Sequence, residues 1–263
     1  MDEIARYNLE RWQALVEADA LFTRPAFDLT PISAREKIDA EGLLGDVIGK
    51  DVLCLAGGGG QQSAAFALLG AQVTVFDLSE QQLDRDRQAA QHYQKTIRTI
   101  QGDMRDLSAL NKGAFDIVHQ PHSLGFVPDA QVVFAQVARV LRPGGIYFFA
   151  ISNPFYCGLS EAAWNGSGYT LKSPYVDGAE ISIPDPAWVY ANSKNPIPMI
   201  REAREYRQTF SKLLNSLIDL GFQFVHVSDS KDIYPDSTAE PGTWNHLLSI
   251  APLWLAFWLR LQS

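Results

Sequence analysis

Cysteine is scarce: Cys54 and Cys157 are the only two in 263 residues. That excludes a disulfide framework and suits a reducing cytosol. Basic side chains are in deficit, 22 against 30 acidic, for a net charge of −8. A protein that holds a phosphate backbone needs the opposite balance, so no nucleic-acid partner is expected. The longest uncharged apolar stretch, Leu247 to Leu259, is broken by Pro252 and falls short of the roughly 20 residues of a spanning helix. The leading residues Met1-Asp2-Glu3-Ile4-Ala5-Arg6 lack the basic-then-apolar build of a signal peptide. His92, His119, His122, His226 and His246 show no tight ligand spacing with the cysteines, so no metal site is expected. Repeats and low-complexity tracts are absent. With 46% hydrophobic residues the chain can bury a core unaided, which excludes disorder. These absences predict a soluble, cytoplasmic globular protein without integral membrane association.

The apolar spacing of Ile4, Leu9, Trp12, Leu15 and Val16 predicts a helix over residues 3–20, closed off by Pro25 and Pro31. A second helix is expected from Ser33, with Glu36 completing a capping box. From Asp51 the rhythm changes. Short apolar runs at Val52–Ala56, Val73–Phe76, Thr96–Ile100, Phe115–His119 and Ile146–Ile151 read as buried parallel strands. Helices are expected between them: Gln61–Leu69 stopped by Gly70, Glu80–Tyr93 capped by Ser79, and Asp129–Leu141 ended by Pro143-Gly144-Gly145. Such alternation means βαβ units with right-handed crossovers. Residues 152–204 break the pattern, mixing Pro174, Pro184, Pro186, Pro196 and Pro198 with Trp164, Tyr169, Tyr175, Trp188 and Tyr190. A stretch of that length is a functional cap or a poorly ordered excursion. A helix over Arg204–Asp219, a strand over Phe222–Val227 and an apolar segment to Leu261 complete the chain.

Two features point to chemistry. Gly57-Gly58-Gly59-Gly60 sits between a strand and a helix, where backbone can approach a ligand closely or simply turn tightly. Asp77, ending the second strand, can accept hydrogen bonds from both hydroxyls of a ribose, or prepare the helix start at Ser79.

From about Val52 to Phe222 the chain resembles the class I S-adenosylmethionine-dependent methyltransferases. Gly58 and Gly60 occupy the glycine-x-glycine places and Asp77 that of the ribose-binding acid. Gln101-Gly102-Asp103-Met104 matches the loop that meets adenine. Phe115-Asp116-Ile117-Val118 matches the fourth strand, and Leu141-Arg142-Pro143-Gly144-Gly145 the turn before the fifth. Glu205 to Phe210, then Leu220-Gly221-Phe222, look like the late helix and sixth strand. The resemblance implies a doubly wound, Rossmann-like α/β fold, with a seven-stranded, mostly parallel sheet, the last strand antiparallel, and helices on both faces. It implies S-adenosylmethionine as cofactor, S-adenosylhomocysteine as product and a small-molecule acceptor. The implied cofactor contacts are Ala56, Gly57, Gly58, Gly60, Asp77, Leu78, Asp103, Met104, His119 and Gln120. One domain is expected, with N-terminal helices as a lid (1–49), a cofactor half (50–151), a cap (152–204) and a C-terminal helix and strands (205–263). The chain departs from the pattern at Cys54, where many members carry an acid, and at Ala56, where many carry glycine.

Rivals remain. Ser63 stands where a dinucleotide fingerprint has its third glycine, and serine is small enough for an NAD(P)-dependent oxidoreductase. That reading has no role for Asp103-Met104 or for the Pro-Gly-Gly turn. A non-catalytic S-adenosylmethionine-binding protein stays open because of Cys54. Asn153-Pro154-Phe155-Tyr156 resembles the tetrapeptide of amino-methylating enzymes but follows the fifth strand rather than the fourth, so it reads as a turn into the cap. Where the acceptor must lose a proton, His122, His119 and Tyr156 are the candidate bases. His122, just past the fourth strand, is the expected catalytic residue, or else a hydrogen-bonded loop histidine.

Overall fold

The computed structural model describes residues 1–185, 187–191, 193, 199–229, 236 and 238–262. Pro186, Pro196 and Pro198 of the expected cap lie outside the described residues.

The elements run α1 (Glu3–Glu17), α2 (Pro31–Asp39), β1 (Asp51–Leu55), α3 (Gln62–Leu68), β2 (Gln72–Asp77), α4 (Glu80–His92), β3 (Arg98–Gln101) and β4 (Phe115–Gln120). There follow α5 (Ala130–Val140), β5 (Leu141–Ser152), β6 (Glu180–Ile183), β7 (Ala203–Tyr206), α6 (Phe210–Asp219), β8 (Phe222–Ser228), α7 (Trp244–Ile250) and β9 (Trp254–Leu261). Asp2 caps α1 by accepting from the Ala5 amide, and Ser79 caps α4 through Gln82.

The seven-stranded sheet has the order β3-β2-β1-β4-β5-β9-β8. β1 pairs in parallel with both β2 and β4, while β9 runs antiparallel to β5 and β8. One face buries Leu53, Leu55, Val118, Tyr147 and Phe149 against Phe134 of α5 and Leu217 of α6. The other buries Val52, Cys54 and Val75 against Ile38, Phe66 and Leu83 of α2, α3 and α4. Each such buried side chain stabilises the fold by roughly 1.5–3 kcal/mol, which holds the strand ends in fixed register. The chain leaves the carboxyl ends of β1 and β4 in opposite directions, and that switch point opens the crevice where ligands bind in such sheets. Among the described residues, no helix is long and apolar enough to cross a membrane.

Three expectations are corrected. The second helix starts at Pro31, with Thr30 as cap and Ser33, not Glu36, closing the box, because proline suits the first helical turn. The helix expected from Arg204 begins at Phe210. Residues 203–206 instead pair antiparallel with Glu180–Ile183 in a separate two-stranded sheet, which gives the expected cap a regular hairpin-like element. The apolar run from Leu247 divides at Pro252 into the end of α7 and the strand β9.

Candidate active site

β1 ends in a sharp turn. Ala56 has φ +46°, and Gly59 and Gly60 follow at +114° and +74°. Alanine in the left-handed region costs roughly 1–2 kcal/mol, which explains why glycine is the easier residue at that position. The neighbouring glycines serve the protein's own packing. A Cβ on Gly58 would stand 2.6 Å from Gln82 Cβ, and one on Gly60 2.5 Å from the Arg85 carbonyl oxygen. A Cβ on Gly57 would meet the Pro121 ring at 2.9 Å. It is α4 and the end of β4 that require these glycines.

The amides of the loop are also taken. Gly58 N–H donates to Asp77 Oδ2 at 3.0 Å, Gly59 N–H to Asp86 Oδ2 at 3.1 Å, and Gly60 N–H to Asp86 Oδ1 at 3.0 Å. The Ser63 hydroxyl donates to Asp86 as well, and Ser79 N–H to Asp77 Oδ1 at 2.8 Å. A pyrophosphate needs these N–H groups free, so the dinucleotide reading loses its donors. Burial pushes Asp86 up to about 7, the Ser63 bond pulls it down and the Asp77 charge adds to the rise. Burial likewise raises Asp77 against the bonds from Ser79 and Gly58. Neither forms an ion pair among the described residues.

A cavity of about 520 Å³ lies against this loop and is bounded on the far side by α1 and the cap. Asp2, the cap of α1, accepts from Arg105 Nη1 at 2.7 Å, and Arg105 Nη2 meets Asp103 Oδ2 at 2.5 Å. Buried Arg11 pairs with Asp185 of the cap at 2.5 Å, and Tyr190 donates to the same carboxylate at 2.8 Å. α1 is thus tied both to the loop after β3 and to the cap.

Opposite the glycine loop, His122 Nε2 stands 3.3 Å from Glu205 Oε1, the carboxylate being contributed by β7. Ser152, ending β5, donates to Glu205 Oε2 at 2.6 Å, and the Cys157 thiol approaches it at 3.8 Å. Burial pushes Glu205 up, but the bond and charge of His122 and the bonds from Ser152 and Cys157 together hold it below the ordinary range. Ionised Glu205 accepts a hydrogen bond from Nε2–H, which leaves the imidazole lone pair on Nδ1. That atom is buried and has no hydrogen-bond partner.

The structure brings Ala56, Gly57, Gly58, Asp77, Leu78, Asp103, Met104 and His122 to this cavity, with Tyr156. It does not bring Gly60, His119 or Gln120 there. Gly60 faces α4. His119 is buried, stacks on Phe148 with centroids 4.5 Å apart, and lines an adjoining cavity of about 570 Å³. Gln120 lies beneath the site, bonded to Tyr147, Ser123 and the Met104 sulfur. Sequence reasoning missed Asp86, Glu205 and the Arg11–Asp185 pair. Gln82 Oε1, on the cavity wall, is buried without a partner. The acids and this free acceptor fit a ligand with hydroxyl and ammonium donors, and hence S-adenosylmethionine.

The family described as Methyltransferase domain matches residues 53–149. A ubiquinone biosynthesis O-methyltransferase of Thiobacillus denitrificans is 32% identical over 185 residues, covering 69% of this chain and 72% of that protein. The Bacillus subtilis protein named uncharacterized methyltransferase YbaJ is 44% identical over 106 residues, and the chain spans only 42% of its length. The crystal structure of an S-adenosylmethionine-dependent methyltransferase from Mesorhizobium loti superposes with a TM-score of 0.61 at 21% identity, covering 89% of this chain and all of that one. With the strand order, the acid ending β2 and the phosphate-excluding glycine loop, these likenesses place the chain in the class I S-adenosylmethionine-dependent methyltransferases, to which it belongs.

Proposed function

We propose that the chain methylates a small, largely apolar acceptor at a protic atom, an oxygen above all, and that His122 removes the proton. The observation that carries this is the His122–Glu205 pair on the same cavity as Asp77 and the glycine loop. Asp77 would hold the ribose hydroxyls, and the Asp103-Met104 loop the adenine. When bound, S-adenosylmethionine supplies an electrophilic methyl group. The chain's own part is to hold the acceptor in line and to deprotonate it. Glu205 orients the imidazole and stabilises the imidazolium that forms as His122 takes the acceptor's proton.

The acceptor side of the cavity is rich in rings. Tyr156, Trp188, Trp244 and Trp254 line it, with Trp244 5.9 Å from Trp254 and 6.5 Å from Trp188. Such walls suit a planar, weakly polar molecule. The O-methyltransferase named among the relatives supports an oxygen acceptor. α1 and the cap act as covers that exclude water.

Release of S-adenosylhomocysteine should be measured against a panel of phenols, quinol precursors, carboxylates and amines. Turnover with phenolic acceptors is expected. Cofactor binding without release on any acceptor would make the chain a binding protein instead.

A further inference from the structure

We propose that Asp86 is the positioning residue of the cofactor loop, holding it from α4 through a buried carboxyl group. Asp86 is fully buried and is held by three donors, two of them consecutive loop amides. Together with Asp77 it fixes the amides of Gly58, Gly59 and Gly60, a stretch that begins at the cavity wall with Gly58. The backbone of α4 reinforces the grip, since Gly59 N–H also approaches the Gln82 carbonyl oxygen at 3.3 Å.

Cys54 makes this arrangement informative. It is fully buried on the sheet face that carries Leu83 of α4, and the Asp86 charge reaches it, adding to the burial that raises its thiol. Asp86 already meets repulsion from Asp77, so a further carboxylate at position 54 would be costly while Asp86 stands on α4. The neutral thiol adds no second charge to that repulsion. Losing this carboxyl leaves the Gly60 amide and the Ser63 hydroxyl without that acceptor, and Gly59 with only its longer bond to Gln82.

The inference rests on the cavity being the S-adenosylmethionine site. Wild-type protein that fails to bind S-adenosylhomocysteine would remove that reading, whatever Asp86 does. The test uses calorimetric titration of S-adenosylhomocysteine into the full chain, with thermal melting alongside. Asp86→Ala should weaken binding at least tenfold, and Asp86→Asn, which keeps one acceptor oxygen, should weaken it less. Returning the acid to β1 in Cys54→Asp/Asp86→Ala should restore at least a threefold part of the loss, while Cys54→Asp alone should lower the melting temperature. A purely structural acid would lower the melting temperature in Asp86→Ala, and the double variant would bind no better. A dissociation constant for Asp86→Ala within twofold of wild type, or a double variant no tighter than Asp86→Ala, overturns the proposal. If Asp86→Ala does not fold, Asp86→Asn decides: unchanged binding overturns the proposal, and weaker binding that Cys54→Asp/Asp86→Asn recovers upholds it.

Discussion

The wall of the cavity proposed to receive the cofactor comes from one run of chain, from Ala56 through Arg105, and the amides of its glycine loop are bonded by acids before any ligand arrives. The facing wall joins His122, Ser152, Cys157 and Glu205, and its central bond links residues 83 positions apart. It also leaves His122 Nδ1 buried and unpartnered. The first wall is fixed by local backbone geometry and by acids rooted in β2 and α4. The second exists only once the β6–β7 sheet has docked beside the carboxyl ends of β4 and β5. On the proposed function one wall serves binding and the other proton removal, so the two should fail separately when altered.

The largest effect should come from the reactive wall. His122→Ala is expected to lower kcat by about 10²–10⁴-fold, the usual worth of a positioned base. Calorimetry on the same variant should give an S-adenosylhomocysteine dissociation constant close to wild type. Loss of binding together with rate would erase the division between the walls.

A second test concerns pH and the binding wall alone. Asp86 is raised to about 7 from an ordinary 3.8, so the folded chain holds a proton that the unfolded chain has released. Its contribution to stability is therefore fullest below about pH 4 and is lost as pH rises through about 7. Roughly three units at 1.36 kcal/mol each set an upper figure of about 4 kcal/mol. Denaturant titrations of wild type and Asp86→Asn at several pH values should show the difference between them changing across that window. A difference that stays flat would mean the Asp86 proton is not coupled to folding.

The smallest of the three falls on Asp77. Removing its carboxylate should weaken S-adenosylhomocysteine binding tenfold to hundredfold, matching about 1.5–3 kcal/mol for a charge-assisted bond. Asp77→Ala with an unchanged dissociation constant would take that residue out of the site.

The contrast between the walls also explains what could be read from the chain. The strands of the cofactor half announce themselves as short apolar runs because both faces of a parallel sheet are covered. The glycine tetrad and Asp77 are sequence neighbours of those strands, so their place at the switch point was legible. Their partners were less so. The glycines answer to Gln82, Arg85 and Pro121, contacts that only the packing of α4 and β4 creates. Asp86 left a trace: it lies on the buried stripe of α4 with Leu83 and Ala90, where a charged residue is out of place. Glu205 left none. Its segment has helical neighbours downstream, and it becomes a strand only because Glu180–Ile183 offers a partner edge. His119 and His122 are three positions apart, yet the alternation along β4 and the turn after it send one into an aromatic stack and the other to the cavity.

One acid that holds the glycine loop also bears on how a turnover ends. Methyl transfer converts a sulfonium into a neutral thioether, so a cofactor in this cavity loses one positive charge while Asp77 and Asp103, acids that line it, are unchanged. The electrostatic hold on the spent molecule is then weaker than on the fresh one, and raising ionic strength should narrow the gap between their affinities. On the proposed function, the acid that steadies one end of the empty loop would also sense the charge of what occupies the cavity, and so bias exchange toward the fresh cofactor.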